Sequence, residues 1–138
     1  MNKYTLTQIE AIEGKQIFYK LEINGYCQFD EYESKIGTNA RYMDELFSIY
    51  GTMEDVANNK LVPKEKFKDI TLSSKDPIKE YEFKSKHLRV YAIKCDDGKI
   101  IILGGTKNKQ KREIKRFRSI KKDYIASRDY EKRNPYKK

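Results

Sequence analysis

Histidine, cysteine and long apolar runs are scarce in this sequence. His87 is the only histidine among the 138 residues, which excludes an acid–base mechanism that needs two imidazoles. Cys27 and Cys95 stand apart without metal-ligand spacing, and we interpret them as reduced thiols. No apolar run approaches the ~18 residues that span a bilayer, and the N-terminal stretch has no signal-peptide core. The sequence therefore predicts a cytoplasmic protein without membrane contact.

Motifs for nucleotides and metals are absent as well. There is no P-loop, no Gly-rich dinucleotide fingerprint and no histidine pair, and no carboxylates are spaced as a metal cluster. We therefore expect neither a metal nor another cofactor.

Positive charge is abundant and unevenly placed. The net charge is +9, yet residues 1–83 hold 11 basic and 15 acidic residues, a net of −4. Residues 84–138 hold 19 basic and 6 acidic residues, a net of +13. This segregation predicts a polyanionic partner for the second half, most simply nucleic acid. The alternative is a solvated lysine-rich surface.

The segment from Tyr81 to Leu103 predicts an antiparallel meander of three strands. Residues 81–84 and 88–93 alternate in the two-residue period of strands, with Ser85-Lys86-His87 as the turn between them. Asp96-Asp97-Gly98 is a second turn signal, and Ile100–Leu103 is an apolar run typical of a strand buried on both faces. This pattern places Arg89 on the face opposite Leu88 and Val90.

The N-terminal segment predicts a strand over residues 3–10 and a β-hairpin. Alternating residues over Lys15–Ile23 are followed by Asn24-Gly25 and then by Tyr26–Tyr32. An Asn-Gly pair between two alternating runs is a strong hairpin signal.

The middle of the chain predicts helices. Thr38 or Asn39 is suited to cap a helix whose apolar stripe has three- and four-residue spacing. Gly51-Thr52 interrupts that stripe, which leaves one kinked helix and two short helices both open. Pro63 favours a further short helix over Lys64–Lys68. The predicted stripe consists of Met43, Leu46, Phe47, Tyr50 and Met53.

A C-terminal helix is predicted from about Lys111. Ile114, Phe117, Ile120 and Tyr124 define one buried edge of this helix. From residue 127 onward the chain is polar, and we expect a flexible basic tail over 127–138 after one domain over 1–126. The other faces of the helix would present Lys111, Arg112, Lys115, Arg116, Arg118, Lys121 and Lys122 to a phosphate backbone.

The residue types around the predicted meander suit RNA cleavage without a metal. In that reaction the 2′-hydroxyl attacks the adjacent phosphorus, a base and an acid move protons, and cations stabilise the added negative charge. His87 is a candidate base or acid, and Arg89 could bind a phosphate with two N–H groups. The alternative for His87 is a surface residue without function. The full candidate set is Lys84, Lys86, His87, Arg89, Tyr91, Lys107 and Lys109.

The second half of the chain resembles the RelE/HigB-type toxins of bacterial toxin–antitoxin pairs over roughly residues 78–125. The shared order is an aromatic-Glu-apolar-basic strand (81–84), an Arg-containing strand (88–91), a turn (97–98), an apolar strand (100–103) and a Gly-Lys loop leading into a helix (104–107 onward).

The resemblance implies a small α+β domain, with helices packed on a twisted, mainly antiparallel sheet, here with an extra N-terminal β-hairpin. It also implies ribosome-dependent mRNA cleavage without a metal, and neutralisation by a cognate antitoxin, of helix-turn-helix type, in a hetero-oligomer. By position, Arg89 matches the strand arginine that contacts the scissile phosphate, and Lys84 and Lys107 match the flanking basic residues. His87 and Tyr91 complete the expected catalytic set, but His87 has no fixed counterpart in the family and is included for its proximity to Arg89. The expected RNA-binding set is Lys86, Lys109, Lys111, Arg112, Lys115 and Arg116.

The sequence departs from the family pattern at three places. Glu82 stands where some members carry a catalytic lysine, and the adjacent lysine pair of the loop is split into Lys107-Asn108-Lys109. The Asn24-Gly25 hairpin and a longer helical region replace the usual helical hairpin before the sheet. Two other functions therefore stay open: a toxin of the same fold that inhibits gyrase instead of cleaving RNA, and a protein that only binds RNA or the ribosome.

Overall fold

The computed structural model of this protein describes residues 1–134 and has an α+β fold with one mixed sheet and three helices. No helix in this part of the chain is long and apolar enough to cross a membrane. The elements are β1 (Tyr4–Gln8), β2 (Ile17–Ile23), β3 (Tyr26–Cys27), α1 (Gln28–Ile36), α2 (Ala40–Ala57), β4 (Phe67–Asp69), β5 (Glu80–Lys84), β6 (Leu88–Cys95), β7 (Gly98–Thr106), a 3₁₀ turn (Lys107–Lys109) and α3 (Gln110–Arg133). The sheet order is β1-β2-β7-β6-β5-β4, and β3 pairs with β2.

The predicted antiparallel meander is confirmed as β5, β6 and β7. The turns fall at Ser85–His87 and at Asp96-Asp97, as expected. Ile100–Leu103 are each at most 2% exposed, which agrees with a strand buried on both faces. β7 is central because it pairs antiparallel with β6 and, over Gly98–Ile101, parallel with β2.

Helices cover both faces of the sheet. On one face, α1 and α2 form a core with sheet residues that include Phe83 and Leu88. On the other face, Phe117 and Tyr124 of α3 pack with residues that include Tyr91. All six residues from Leu88 to Ile93 are consequently buried. The face of β6 that the alternation assigns to Arg89 is therefore a second core beneath α3.

The strand expected over Tyr26–Tyr32 is wrong beyond its first two residues. The chain turns at Asn24-Gly25, with positive φ at both, as the hairpin signal predicts. Pairing then stops at Cys27, whose Sγ accepts from the backbone N–H of Asp30 at 3.4 Å and caps α1. The buried residues of α1 are Phe29, Tyr32 and Ile36, which have helical spacing, and the first two lie in the segment that was predicted as strand.

The predicted central helix is confirmed as one continuous element. Asn39 caps α2 by accepting from the backbone N–H of Tyr42 at 3.2 Å, and the helix runs through Gly51-Thr52. Leu46 and Met53 of the predicted stripe are buried, whereas Phe47 is 64% exposed, which corrects its assignment to the core.

The short helix expected over Lys64–Lys68 is wrong. The Pro63 carbonyl accepts from the backbone N–H groups of Lys66 and Phe67, which forms a turn. Phe67–Asp69 then pair with β5 as the edge strand β4. The ring of Phe67 lies 4.7 Å from that of Phe83, so packing against the sheet favours the extended conformation.

Two cations that were expected on the solvent face of α3 are instead bound to the sheet. Lys121 is 5% exposed and its Nζ lies 2.8 Å from Glu80 Oε2 and 2.7 Å from Asp76 Oδ2. Arg118 Nε donates to Glu80 Oε1 at 2.8 Å. Glu82 is 2% exposed and accepts from Gln110 at the start of α3. These bonds fix α3 across β5.

The final helix also extends further than expected. Residues 127–133 continue α3 instead of forming the predicted flexible tail. The rest of that tail, residues 135–138, lies outside the described residues.

Gly98→Ala is expected to destabilise the fold by about 1–3 kcal/mol or more, the range of overpacking. A Cβ at this position would lie 1.9 Å from the Ile17 carbonyl oxygen, where β2 meets β7. Gly51→Ala is the matched control, because a Cβ there meets nothing within 4 Å in the middle of α2. It should raise the free energy of unfolding by about 0.5–1 kcal/mol. Urea unfolding measures both, and equal effects would contradict the close approach of β2 to β7.

Candidate functional site

The predicted catalytic residues meet at one end of the sheet. β5 ends at Lys84, which pairs with Arg89 at the start of β6, and Arg89 pairs in turn with Gly105 near the end of β7. The backbone N–H of Lys107 donates to the carbonyl of His87 at 2.9 Å. Residues from two turns and three strands are therefore neighbours here, as the predicted meander requires.

His87 is held by a carboxylate from α2. Its Nδ1 lies 2.6 Å from Glu45 Oε2, and its backbone N–H donates to Glu45 Oε1 at 2.7 Å. Ser85 Oγ donates to the same Oε1 atom. A carboxylate only accepts hydrogen bonds, so Nδ1 carries the imidazole proton and Nε2 is left able to accept one. The side chain of His87 is 33% exposed and its ring packs beside Tyr42.

The environment of Glu45 keeps this carboxylate ionised. Burial raises its pKa, but hydrogen bonds from Ser85 and His87 outweigh that effect and hold the pKa below its ordinary value. An anionic Glu45 favours the Nδ1–H tautomer of His87 and stabilises the imidazolium that forms when Nε2 takes a proton. The pair has the geometry of an oriented general base.

Arg89 does not form the open phosphate clamp that the sequence analysis expected. It is 8% exposed, and its Nη1 donates to the carbonyls of Ser85 and Leu88 at 2.6 and 2.8 Å. Its Nε is buried without an acceptor among the described residues. α3 covers this face of β6, which is why the strand arginine lies inside. Arg89 supports the Ser85–Leu88 turn from the side opposite Glu45.

Tyr91 is also placed away from solvent. It is 0% exposed, and its ring stacks on Phe117 at 5.5 Å between centroids. Burial raises the pKa of its hydroxyl, which has no hydrogen-bond partner in the described chain. A catalytic contact from Tyr91 to a substrate is incompatible with this packing, because α3 lies between the ring and solvent.

Three predicted lysines lie in or next to the His87 turn, and no salt bridge neutralises them within residues 1–134. Lys84 is partly exposed on the strand that precedes the turn, Lys86 lies exposed within it, and Lys107 is exposed beside it. None of their ammonium groups forms an ion pair with another residue of the described region. The positive charge of these three lysines is therefore available to bind an external anion.

A cleft of about 480 Å³ separates α1 from the start of α3. β2 pairs with β7 only as far as Ile101, so residues 104–106 form an open floor there. The Tyr32 ring covers Gly104, where a Cβ would come within 2.4 Å of ring carbons, and its hydroxyl donates to the Gly105 carbonyl at 3.1 Å. A side chain at position 104 would therefore not fit beneath the Tyr32 ring.

The cleft divides the predicted RNA-binding residues into two groups. Lys109, Arg112 and Arg116 line the cleft, whereas Lys111 and Lys115 are exposed on α3 but do not line it. The i, i+3, i+4 geometry of a helix produces this division. Lys35 and two acidic residues, Glu31 and Glu113, also line the cleft. Glu31 pairs with Lys35 at 3.1 Å, and Glu113 lies 3.9 Å from Arg112.

Glu45 is the functional candidate that sequence reasoning missed. It lies among the polar positions of an amphipathic helix, 42 residues before His87, and nothing in its local spacing marks it. The one available signal was the single histidine itself, since an oriented imidazole requires a carboxylate or carbonyl partner from elsewhere in the fold.

Among the described residues, no group of three or more His, Cys, Asp or Glu side chains is arranged to hold a metal ion.

The comparison of this chain with known proteins identified no relative. No protein-family model, curated protein or solved structure matches the chain.

Proposed function

We propose that this protein is a cytoplasmic toxin of the RelE/HigB type that cleaves mRNA on the ribosome without a metal. The observation that carries the proposal is the His87–Glu45 pair, 2.6 Å apart, in a turn that follows Lys84, contains Lys86 and contacts Lys107 through its backbone. The element order supports it, since a pair of helices precedes the meander and one helix follows it. The family pattern has a helical hairpin before the sheet. Since α1 and α2 lie before the meander, the departure from that pattern is smaller than the sequence suggested.

In the proposed reaction His87 acts as the general base. Its Nε2 removes the proton of a 2′-hydroxyl, and the 2′-oxygen attacks the adjacent phosphorus. The bond from phosphorus to the 5′-oxygen breaks, leaving a 2′,3′-cyclic phosphate and a 5′-hydroxyl that gains a proton from water or a lysine ammonium. The neighbouring lysines stabilise the charge of the phosphorane. Glu45 positions His87 and does not contact the substrate.

Arg89 has a positioning role in this proposal. Its two hydrogen bonds hold the carbonyls of Ser85 and Leu88, and Glu45 holds the Ser85 hydroxyl and the His87 backbone N–H. The turn that carries His87 is thus fixed from both faces of the sheet. This differs from the direct phosphate contact that the resemblance implies for the strand arginine.

Cellular growth provides the experiment for the proposed function. Inducing the wild-type protein in a bacterium without a cognate antitoxin should stop growth and create new mRNA 5′ ends. Co-expression of the antitoxin, a helix-turn-helix protein in our proposal, should restore both. Intact mRNA and normal growth would overturn the proposal, while toxicity with DNA damage and intact mRNA would identify a gyrase-type inhibitor.

The burial of Arg89 and Tyr91 favours a second candidate function, RNA or ribosome binding without cleavage. Two of the five expected catalytic side chains are closed to a substrate, but the cations around the His87 turn and along the cleft are open. Salt-sensitive binding by a protein that leaves RNA intact and growth normal would select this function.

Replacing Arg112 and Arg116 together by alanine is expected to weaken RNA binding and flatten its salt dependence. Each lost contact with a single-stranded phosphate should reduce the log–log slope by about 0.7, so the pair should reduce it by about 1.4. Lys111→Ala with Lys115→Ala removes the same charge from the same helix outside the cleft and is the matched control. Fluorescence anisotropy with a labelled oligoribonucleotide at several salt concentrations measures both. Equal losses in the two double variants would mean that the cleft does not direct binding.

A further inference from the structure

Lys99 is a buried amine with no carboxylate partner among residues 1–134. It lies near the start of β7, at the opposite end of the sheet from His87, and is 6% exposed. Its Nζ donates to Gln16 Oε1 at 2.7 Å, which is its one hydrogen bond in the described chain. A lysine that is buried beside a neutral amide loses its hydration and gains no opposite charge in exchange.

Aromatic rings form the rest of the environment of this amine. Nζ lies 5.0 Å from the ring centroid of Tyr81, 5.9 Å from that of Phe67 and 6.0 Å from that of Phe18. These rings attract an ammonium, whereas burial disfavours it. The rings also form an apolar wall, which would keep water away from a covalent adduct on the Lys99 amine.

The amine is also reachable. Lys99 and Tyr81 line a cleft of about 480 Å³ at the β6–β7 turn. Gln16, the hydrogen-bond partner of Nζ, lines the same cleft and can release the amine without breaking an ion pair. A small molecule that enters this cleft therefore lies beside Lys99 and beside Gln16 and Tyr81, the two lining residues that its Nζ approaches.

From this geometry we propose that Lys99 is a covalent site for small uncharged aldehydes, which it binds as an imine. The neutral Nζ attacks the carbonyl carbon, the carbonyl oxygen gains a proton, and the resulting carbinolamine loses water. One amine and one aldehyde thus give one imine and one water, with no oxidant or reductant. Lysines that form such imines in proteins are typically desolvated in the way that Lys99 is.

The protonation of Lys99 supports this site. The pKa of its amine is lowered from 10.5 to about 8, chiefly by burial, with Cys95 opposing the shift and Lys94 adding to it. The other charged or titratable groups around the cleft are Tyr81, Lys15, Asp96 and Asp97. At pH 8 about half of Lys99 would be neutral, against less than about 1% of an ordinary surface lysine.

Reductive trapping tests the proposal on the full chain. The protein is incubated with glycolaldehyde and cyanoborohydride between pH 6 and 10, and labelled lysines are located by mass spectrometry. Lys99 should label at least about tenfold faster than Lys94 at pH 8, because it holds far more neutral amine. Lys94 is the matched control, since it pairs directly with Lys99 across the strands and is exposed. Labelling of Lys99 at or below the rate of Lys94 would overturn the proposal.

A second variant separates reactivity from access. Gln16→Leu removes the hydrogen bond to Nζ without adding charge and should increase the Lys99 labelling rate at pH 8. An unchanged or lower rate would contradict the proposed release of the amine by Gln16. Circular dichroism confirms that the variant is folded before it is labelled. Neither result depends on RNA cleavage, so this site and the proposed function can fail independently.

Discussion

His87→Ala is expected to lower the rate of RNA cleavage by about 10²–10⁴-fold, the usual contribution of a general acid–base group. His87 is the only imidazole in the chain, so no other side chain of this type can replace it. RNA affinity should change little, because the loss removes proton transfer and leaves Lys84, Lys86 and Lys107 in place. Single-turnover cleavage of an mRNA on ribosomes, together with anisotropy for binding, measures the two effects separately.

Glu45→Gln tests how His87 is positioned. The variant keeps an acceptor for Nδ1–H but removes the negative charge, so cleavage should fall by less than in His87→Ala. The loss should lie in the single-turnover cleavage rate and leave RNA affinity unchanged, because Glu45 positions His87 and does not contact the substrate. A purely structural role for Glu45 would lower binding and cleavage together. Lys94→Ala, at the far end of the sheet, is the control for both variants.

Full activity in His87→Ala would contradict the assignment of the general base. Cleavage would then have to depend on the lysines near the turn. If no variant and no wild-type sample cleaves RNA, the proposed function fails as a whole, and gyrase inhibition and RNA or ribosome binding are the functions left.

Lys121→Met is expected to lower the free energy of unfolding by about 3–5 kcal/mol, the usual cost of removing one partner from a buried ion pair. The substitution leaves Glu80, whose side chain is 6% exposed, without the ammonium 2.8 Å away. It also removes the hydrogen bond that lowers the pKa of Asp76. A loss of this size is a large part of the stability of a small domain. Urea unfolding followed by circular dichroism measures it.

Lys122→Met provides the control for that substitution. Lys122 is adjacent in α3 and exposed, so its replacement should change stability by no more than about 0.5 kcal/mol. Glu80→Gln combined with Lys121→Met closes a double-mutant cycle, and a clear coupling energy is expected. Equal costs for Lys121→Met and Lys122→Met would show that the buried pair does not fix α3 to the sheet.

The Asp76 carboxylate adds a pH dependence to this attachment. Its pKa in the folded protein lies below the ordinary value because Lys121 donates a hydrogen bond to it, against the opposing effect of burial. Its contribution to stability is therefore present above the unfolded pKa and is lost as the pH falls through the folded pKa. Lys121→Met should lack this part of the acid sensitivity.

Local patterns were sufficient to predict several elements of the fold. Strand alternation and turn residues identified β5, β6 and β7, and the spacing of apolar residues identified α2 and α3. The residue Asn39 was recognisable as a cap because its side chain acts on a backbone N–H only three residues away. Each of these features is determined within a few residues, so a single sequence contains enough information for them.

Burial and long-range pairing could not be predicted in the same way. The hairpin signal at Asn24-Gly25 predicted a strand after it. In the structure this segment is the helix α1, because Phe29, Tyr32 and Ile36 pack on the core as one helix face. The alternation of residues 88–93 places Arg89 on the correct face of β6, but nothing in this local pattern indicates that α3 covers that face. Whether a charged side chain is open to a ligand depends on which element packs over it.

The sequence by itself determined the charge segregation, the single histidine and the strand order that brings Lys84, Arg89 and Lys107 to one end of a sheet. Only the tertiary structure decided that Glu45 orients His87, that Arg89 and Tyr91 are internal, and that Lys121 and Arg118 bind Glu80. The physical reason is the range of the interactions. Helix, strand and turn preferences act between near neighbours in sequence, whereas a carboxylate 42 residues away meets an imidazole only after the whole chain has packed.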